Sequence, residues 1–417
     1  MQKGSREIDA DQGAPRERPP QVREAQQPEG VDHREIGRRL DLFHQQEEAA
    51  GQVFWHANGW RLFRLVESRV RAEMEAAGYL EIRTPQLLRA EIWQRSGHWQ
   101  AFDEGMVRVG EQRALKPVSC PGALSVFARG SRSFRDLPLR YFELGQVFRE
   151  EPSGALNGLF RLKAFTQDDG HVLLALDQVE EEVARFCRLL ERLWSAFGFS
   201  VGRVCLSTRP ERRIGSEAEW DVAEAGLAAA AAAAGLAVEL LPGEGALYGP
   251  KLEFALSDSR GREWQCGTVQ LDLQMPRRFD LHYVDDQGQR AVPCLLHHAV
   301  LGSLERFIAL LLEQCGGRLP LWLAPVQTVV ANVGGAERDA ARTAVRYLTE
   351  AGLRVRADLR AAPLGRKVHD AHRSGIPAFV AIGPTEAAAG EAVLDLHRER
   401  KGRLNLADLA KCLAQQS

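Results

Sequence analysis

The stretch RYFELGQVFREEPSGALNGLFRLKAFTQDDGH, residues 140–171, concentrates side chains that can do chemistry. It reads as strand, loop, strand, with the turn residues of EPSGALNG between two runs that carry Arg149, Glu151, Arg161, Gln167 and Asp169. Charges alternating along a strand ordinarily mark a face wetted by solvent. The period of two also puts Phe165, Asp169 and His171 on one side. There an aromatic face could take a base, an arginine a phosphate and a carboxylate an amine. Pattern alone leaves both readings open.

Soft metal ligands are scattered. The cysteines Cys120, Cys187, Cys205, Cys266, Cys294, Cys315 and Cys412 are odd in number, irregularly spaced and without a CxxC pair. That argues against a disulfide framework and against a zinc ribbon. A metal site has to be assembled from residues distant in sequence, and a lone Cys or His is far more often a packed or solvated residue than a ligand.

Helices and strands must position these groups. From Trp60 the apolar residues Leu62, Val66, Val70 and Met74 recur every fourth position, which predicts an amphipathic helix ended by Gly78. YLEIRTP follows as a strand stopped by Pro85. An alanine-rich helix is expected over 217–234, where the polyalanine run carries no chemistry. KLEFAL, WQCGTVQLDL and FDLHYV read as strands of an antiparallel sheet, closed by a helix over 299–315. The composition then changes. LPLWLAPVQTVVANV as a buried strand, a helix over 336–351, LRVRADL, a helix over 364–372, AFVAIG and a terminal helix from Leu406 describe a small α/β domain. The joint falls at Leu319-Pro320.

Bulk numbers fit that plan. At 417 residues the chain should hold two or three domains. A hydrophobic share of 45% and a charged share of 26% are those of a soluble globular protein, and no apolar run reaches the roughly 18 residues that cross a bilayer. Residues 1–32, rich in Gln, Pro, Glu and Arg, read as a disordered tail with no signal peptide, so the expected location is the cytoplasm. The net charge of −2 excludes a globally basic nucleic-acid binder but not a local basic patch.

The chemistry-bearing segment resembles motif 2 of the class II aminoacyl-tRNA synthetases. From LPLRYFELG to FTQDDGH it is closely similar to the threonyl-tRNA synthetases. RTP matches the proline of motif 1, and HHAVLGSLERF matches motif 3. SGHW, KPVSCPGA, RPERRIGS, YGPKLEF and WQCGTVQLD resemble the same family in the same order, so that the similarity covers about residues 31–417. The resemblance implies an α+β class II catalytic core over 33–318, an antiparallel sheet flanked by helices, followed by an anticodon-binding-type α/β domain over 319–417. It implies activation of threonine with ATP and Mg²⁺, transfer to tRNA, and a homodimer built through motif 1, with no membrane partner.

Carried over position by position, Arg149 falls on the arginine that holds the α-phosphate, Glu151 on the glutamate that contacts adenine, Phe165 on the ring that stacks it, and Arg306 on the γ-phosphate arginine. Arg161, Gln265, Thr268 and Ser303 join the nucleotide site, and Lys251 and Gln265 join Arg149 and Arg306 in the catalytic set. Asp169, Gln167, Tyr248 and Gln270 surround threonine. KPVSCPG, DDGH and LLHHAVLG place Cys120, His171 and His297 on the family's zinc positions, one Zn²⁺ per subunit, with His298 the competing neighbour. Three protein ligands leave positions open for a small molecule.

Two departures stand out. Asp395 falls where an arginine is usual in the anticodon-touching strand, and Ala123 replaces a histidine after CPG. An acid at 395 would repel phosphate and alter base readout, although Arg398, Arg400, Lys401 and Arg403 lie near. A paralogue that passes threonine to a carrier protein or unusual tRNA, and a catalytically silent RNA-binding regulator, are the alternatives. The complete set of Arg149, Glu151, Phe165, Arg306 and three metal ligands disfavours the silent one. Nothing in the sequence resembles the family's N-terminal small and editing domains, which leads to the expectation that serine is measurably transferred unless another protein clears it. Serine keeps the hydroxyl and lacks only a methyl group, worth roughly 1–3 kcal/mol. A charging assay in which serine gives no product overturns that expectation.

Overall fold

The computed structural model describes residues 32–102, 105–257 and 261–415. The tail expected over 1–32 lies outside the described residues except for Asp32, whose side chain caps helix α1 (His33–Arg39). Helix α2 (Ala57–Ala76) buries Leu62, Phe63, Val66, Val70 and Met74, each worth about 1.5–3 kcal/mol. It stops where Gly78 adopts φ +84 and Tyr79 N–H returns to the Met74 carbonyl.

The strand expected after it shrinks to β1 (Leu80–Glu81). This begins an eight-stranded sheet with β2 (Leu139–Phe148), β3 (Ala164–Leu174), β4 (Ser200–Ser207), β5 (Val238–Leu241), β6 (Lys251–Ser257), β7 (Glu263–Asp272) and β8 (Cys294–Ser303). The order is β1-β2-β3-β8-β7-β6-β4-β5. Its six central strands pair antiparallel as expected, whereas β1 and β5 join the two edges in parallel.

One face of the sheet is covered by α2, α4 (Val179–Ala196), α5 (Glu217–Ala233) and α6 (Leu304–Cys315), packed on residues such as Phe142, Val172, Phe254 and Leu296. The opposite face is only partly covered, by a cluster around Cys120, Leu124 and Phe127 of α3 (Cys120–Phe127) with Tyr141 and Leu173. That uncovered area is where ligands can enter.

Two expectations need correction here. The helix foreseen over 299–315 begins only at Leu304, and residues 299–303 continue β8. Ala299 still pairs with Thr268 and Asp169, Gly302 takes φ +80, and the Ser303 side chain accepts from Arg306 N–H as the N-cap. Apolar residues on a strand buried on both faces mimic helical periodicity, which is how β8 was hidden. FDLHYV is likewise not a full strand. Asp272 accepts from the Gln274 and Met275 amides and Pro276 starts a helical turn, so that only Tyr283–Val284 pair, with Arg290–Ala291.

The C-terminal part holds a five-stranded sheet of β9 (Thr328–Asn332), β10 (Val355–Asp358), β11 (Ala378–Ile382), β12 (Glu391–Leu396) and β13 (Glu399–Asn405), in the order β10-β9-β11-β12-β13. LPLWLAPVQTVVANV contributes only β9 to it. Helices α7 (Arg338–Glu350) and α9 (Leu406–Ala414) pack on one face and α8 (Leu364–Arg373) on the other. In the connection, Leu319 and Leu323 belong to the first core while Leu321 belongs to the second.

Candidate active site and metal centre

β3 lies between β2 and β8, and its register decides what converges. His171 stands directly opposite His297, which is opposite Gln270 on β7, which is opposite Lys251 on β6. In-register residues share a face, so these four side chains form one row across four strands. Asp169, Ala299, Thr268 and Glu253 form the next row, and the small Ala299 leaves space between its neighbours. Gln167 and Phe165 continue the same face of β3 towards the cleft.

The sulfur of Cys120 and one ring nitrogen each of His171 and His297 lie within 4.8 Å of one another. Zinc bonds of about 2.0–2.3 Å close such a spacing with small side-chain adjustments. His171 Nε2 is buried without a hydrogen-bond partner. His297 Nε2 sits 2.9 Å from Asp272 Oδ2, which leaves Nδ1 for an ion in the usual carboxylate–histidine–metal arrangement. Burial holds His171 well below the ordinary imidazole range, in the neutral form a metal requires, and pushes the Cys120 thiol well up. A cation beside that sulfur reverses the preference and favours thiolate. The donor set therefore fits zinc.

His298 faces the other way. Its ring packs 5.1 Å from Tyr79 and from Phe186, in space left by Gly170, where an added Cβ would lie 2.0 Å from the imidazole.

Cys120 comes from a strap rather than from the sheet. Ser119 N–H donates to Asp169 Oδ2 at 3.2 Å, Pro117 carbonyl accepts from Arg149 Nε at 3.1 Å, and Lys116 carbonyl accepts from Phe148 N–H at 2.9 Å. The Lys116 ammonium, itself buried, meets Glu143 at 2.8 Å and Thr84 at 3.0 Å. Residues 116–120 are thus tied to β2, to β3 and to the segment ahead of Pro85.

Two cavities adjoin. A small one of about 220 Å³ is lined by Cys120, His171, His297, Asp169, Tyr248 and Gln270. A cleft of about 710 Å³ is lined by Arg149, Glu151, Arg161, Phe165, Lys251, Gln265, Ser303 and Arg306. Gln167, Thr268, Gln270 and Ala299 line both. Every residue carried over to the nucleotide, threonine, catalytic or metal positions thus borders one cavity or the other, whereas Ala123 and Asp395 border neither. Gln167 Oε1, Gln270 Nε2 and Arg306 Nε are buried and lack protein partners. The Arg149 guanidinium rests 5.2 Å over the Phe165 ring, and Arg161 meets Glu151 at 2.8 Å.

Sequence reasoning assigned no role to three groups here. Glu253 Oε1 accepts from Gln265 and from Lys251, and Glu253 Oε2 accepts from Ser207, so this carboxylate fixes both cleft residues. His98, quoted only as part of SGHW, lies in the small cavity between Ser96 Oγ at 2.7 Å and the Tyr248 hydroxyl. Burial lowers its pKa to about 3. Asp272 supports His297. Each has a partner far away in sequence, Ser207 for Glu253, Tyr248 for His98 and His297 for Asp272.

Residues 106–315 match the family model described as tRNA synthetase class II core domain (G, H, P, S and T), and residues 327–416 match the anticodon binding domain. The threonine–tRNA ligase of Caulobacter vibrioides is 46% identical over 377 residues, 89% of this chain and 58% of the relative. That of Paramagnetospirillum magneticum is 48% identical over 367 residues, 87% of this chain and 58% of the relative. The crystal structure of the RNA binding domain of threonyl-tRNA synthetase from Cryptosporidium parvum Iowa II superposes with a TM-score of 0.89 at 35% identity, covering 93% of this chain and 98% of that one.

The chain belongs to the threonyl-tRNA synthetase family. It spans less than two thirds of the length of the curated relatives it matches. Its architecture is a class II synthetase core followed by an anticodon-binding domain.

The geometry separates the two adjacent histidines by experiment. Metal analysis of the purified protein is expected to find zinc near one per chain. The His298→Leu variant should keep it, and His297→Ala should lose it. Asp272→Asn should weaken zinc binding by about 10–100-fold. Full zinc in His297→Ala would rule out this centre.

Proposed function

We propose that this protein activates L-threonine with ATP to threonyl-adenylate and transfers the threonyl group to the 3′ end of tRNA. The observation that carries this reading is a small cavity with Cys, His and His donors and a buried carboxylate, opening through a shared wall into an arginine-bordered cleft.

In activation, a threonine carboxylate oxygen attacks the α-phosphorus of ATP. The bond from the α-phosphorus to the oxygen that bridges it to the β-phosphorus breaks, and pyrophosphate leaves with that oxygen. Arg149 from β2's end and Arg306 from α6 approach the triphosphate from two sides, which spreads the charge developing on the leaving group. Phe165 supplies a face for adenine and Glu151 an acceptor for its amino group. Asp169 accepts from the threonine amino group, while Gln167, Tyr248 and Gln270 orient the rest of the amino acid. Cys120, His171 and His297 would hold the zinc, which would supply Lewis-acid coordination to the amino acid's amino and hydroxyl groups; valine, lacking the hydroxyl, could not use it fully. Glu151 and Glu253 already accept hydrogen bonds from protein donors, so Mg²⁺ fits as the counter-ion that the triphosphate brings with it.

A homodimer through the segment around Pro85 is the second part of the proposal. Phe54, Trp60, Leu80 and Leu87 are large apolar side chains left exposed on α2 and the segments flanking it. An isologous contact would cover them.

Threonine-dependent ATP/pyrophosphate exchange is the direct test of the chemistry. Valine should support it about 10⁴-fold less than threonine, the discrimination expected of a site built around a hydroxyl. Arg306→Ala should lower kcat/KM by about 10²–10³-fold. Exchange with valine as fast as with threonine rejects the reading. For assembly, sedimentation should give twice the chain mass, and Trp60→Glu should shift it towards one; a wild-type monomer removes that part.

A further inference from the structure

β8 does not run evenly alongside β3. Ala299 pairs with Asp169 and Ser303 with Gln167, so four steps on β8 correspond to two on β3. The extra length, Val300, Leu301 and Gly302, is gathered into a bulge, and the bulge closes on one side chain. Asp168 Oδ2 accepts from the Val300 and Leu301 amides, and Asp168 Oδ1 from the Gly302 amide, each at 2.8 Å. Asp168 is fully buried and has no cationic partner within salt-bridge distance among the described residues.

The bulge leads directly into the nucleotide cleft. Leu301, Gly302, Ser303 and Arg306 all line it. Gly302 holds φ +80, where a side chain is strained, and an added Cβ would also press on the Cys266 carbonyl at 3.1 Å. Ser303 caps α6 by accepting from Arg306 N–H at 3.2 Å. A second tie comes from the same strand, since Thr166 N–H donates to the Glu305 carboxylate at 2.9 Å. Arg306 is thereby presented from a helix whose first turn is fastened to β3 at Thr166 and Asp168.

We propose that Asp168 is a positioning residue for the nucleotide site, acting through the bulge 300–302 to set where Arg306 enters the cleft. A carboxylate is needed because three amide donors converge on it. Asparagine offers one acceptor oxygen, and its NH₂ would oppose an N–H. Burial pushes the Asp168 carboxyl up to about 7, and the three amides oppose that shift by favouring the charged form. The inference rests on the proposed role of Arg306 in ATP binding.

The test is a double-mutant cycle in pyrophosphate exchange with Asp168→Asn, Arg306→Ala and the pair. Asp168→Asn should lower kcat/KM for ATP by about 10–100-fold, the cost of one misdirected buried hydrogen bond, with KM for threonine changed less than about twofold. In the Arg306→Ala background the same substitution should cost less than about threefold. Gly302→Ala disturbs the same bulge without touching a buried carboxylate, and should reproduce the split between ATP and threonine if Asp168→Asn does not fold. Equal losses for both substrates, or full additivity with Arg306→Ala, overturn the role assigned to Asp168. Normal exchange by Arg306→Ala alone would instead reject the nucleotide role of Arg306, so the two failures are distinguishable.

Discussion

Everything at this site depends on β3 being paired on both sides. With β2 on one flank and β8 on the other, the strand can neither slide nor turn over without breaking two ladders. Its alternation is therefore rigid. Phe165, Gln167, Asp169 and His171 face the cavities, while Thr166, Asp168 and Gly170 serve the frame. Thr166 and Asp168 fasten the bulge and first turn of α6, and Gly170 vacates the volume taken by His298. A slip by one residue would exchange ligand-facing and structural side chains throughout.

The same arrangement stores unsatisfied polarity where ligands are to bind. His171 Nε2, Gln167 Oε1, Gln270 Nε2 and Arg306 Nε are all buried without a protein partner. Each such group costs about 1–3 kcal/mol relative to a hydrogen-bonded one. These residues border the two cavities; Asp168, Glu143 and Glu305, which serve the frame, are hydrogen-bonded, while Trp93 Nε1, Ser119 Oγ and Thr328 Oγ1 are buried without a partner and line neither cavity. What sets the cavity residues apart is that they border space a ligand can fill. The cost is offset when a ligand supplies the missing partners.

The sequence made the frame legible where one element sufficed to see it. Helix α2 shows its buried stripe at four-residue spacing, and β2-loop-β3 shows its turn residues. It misled where burial on both faces erased periodicity, as in β8, and where a side-chain cap redirected the backbone, as Asp272 does before Met275. The site was less legible still. Cys120, His171 and His297 come from a strap, a strand and a second strand, and only family resemblance named them together. Glu253, His98 and Asp168 each have partners distant in sequence, Ser207, Tyr248 and the amides of 300–302, which spacing does not reveal.

The shared wall between the cavities bears most directly on how the two ligands could meet. Gln167, Thr268, Gln270 and Ala299 belong to both, so a molecule seated against Cys120, His171 and His297 ends near the cleft bordered by Arg149. Arg149 is in turn tied by its Nε to Pro117, on the strap that leads to Cys120. A shift of that strap would move Cys120 and the Arg149 anchor together. Reactions between two bound molecules gain most from such fixed relative placement, since effective molarity falls steeply with misorientation. The strap is held by Asp169 of β3 at Ser119 and by the buried Lys116–Glu143 pair to β2. The two binding sites are therefore mechanically one, with β3 as their common support.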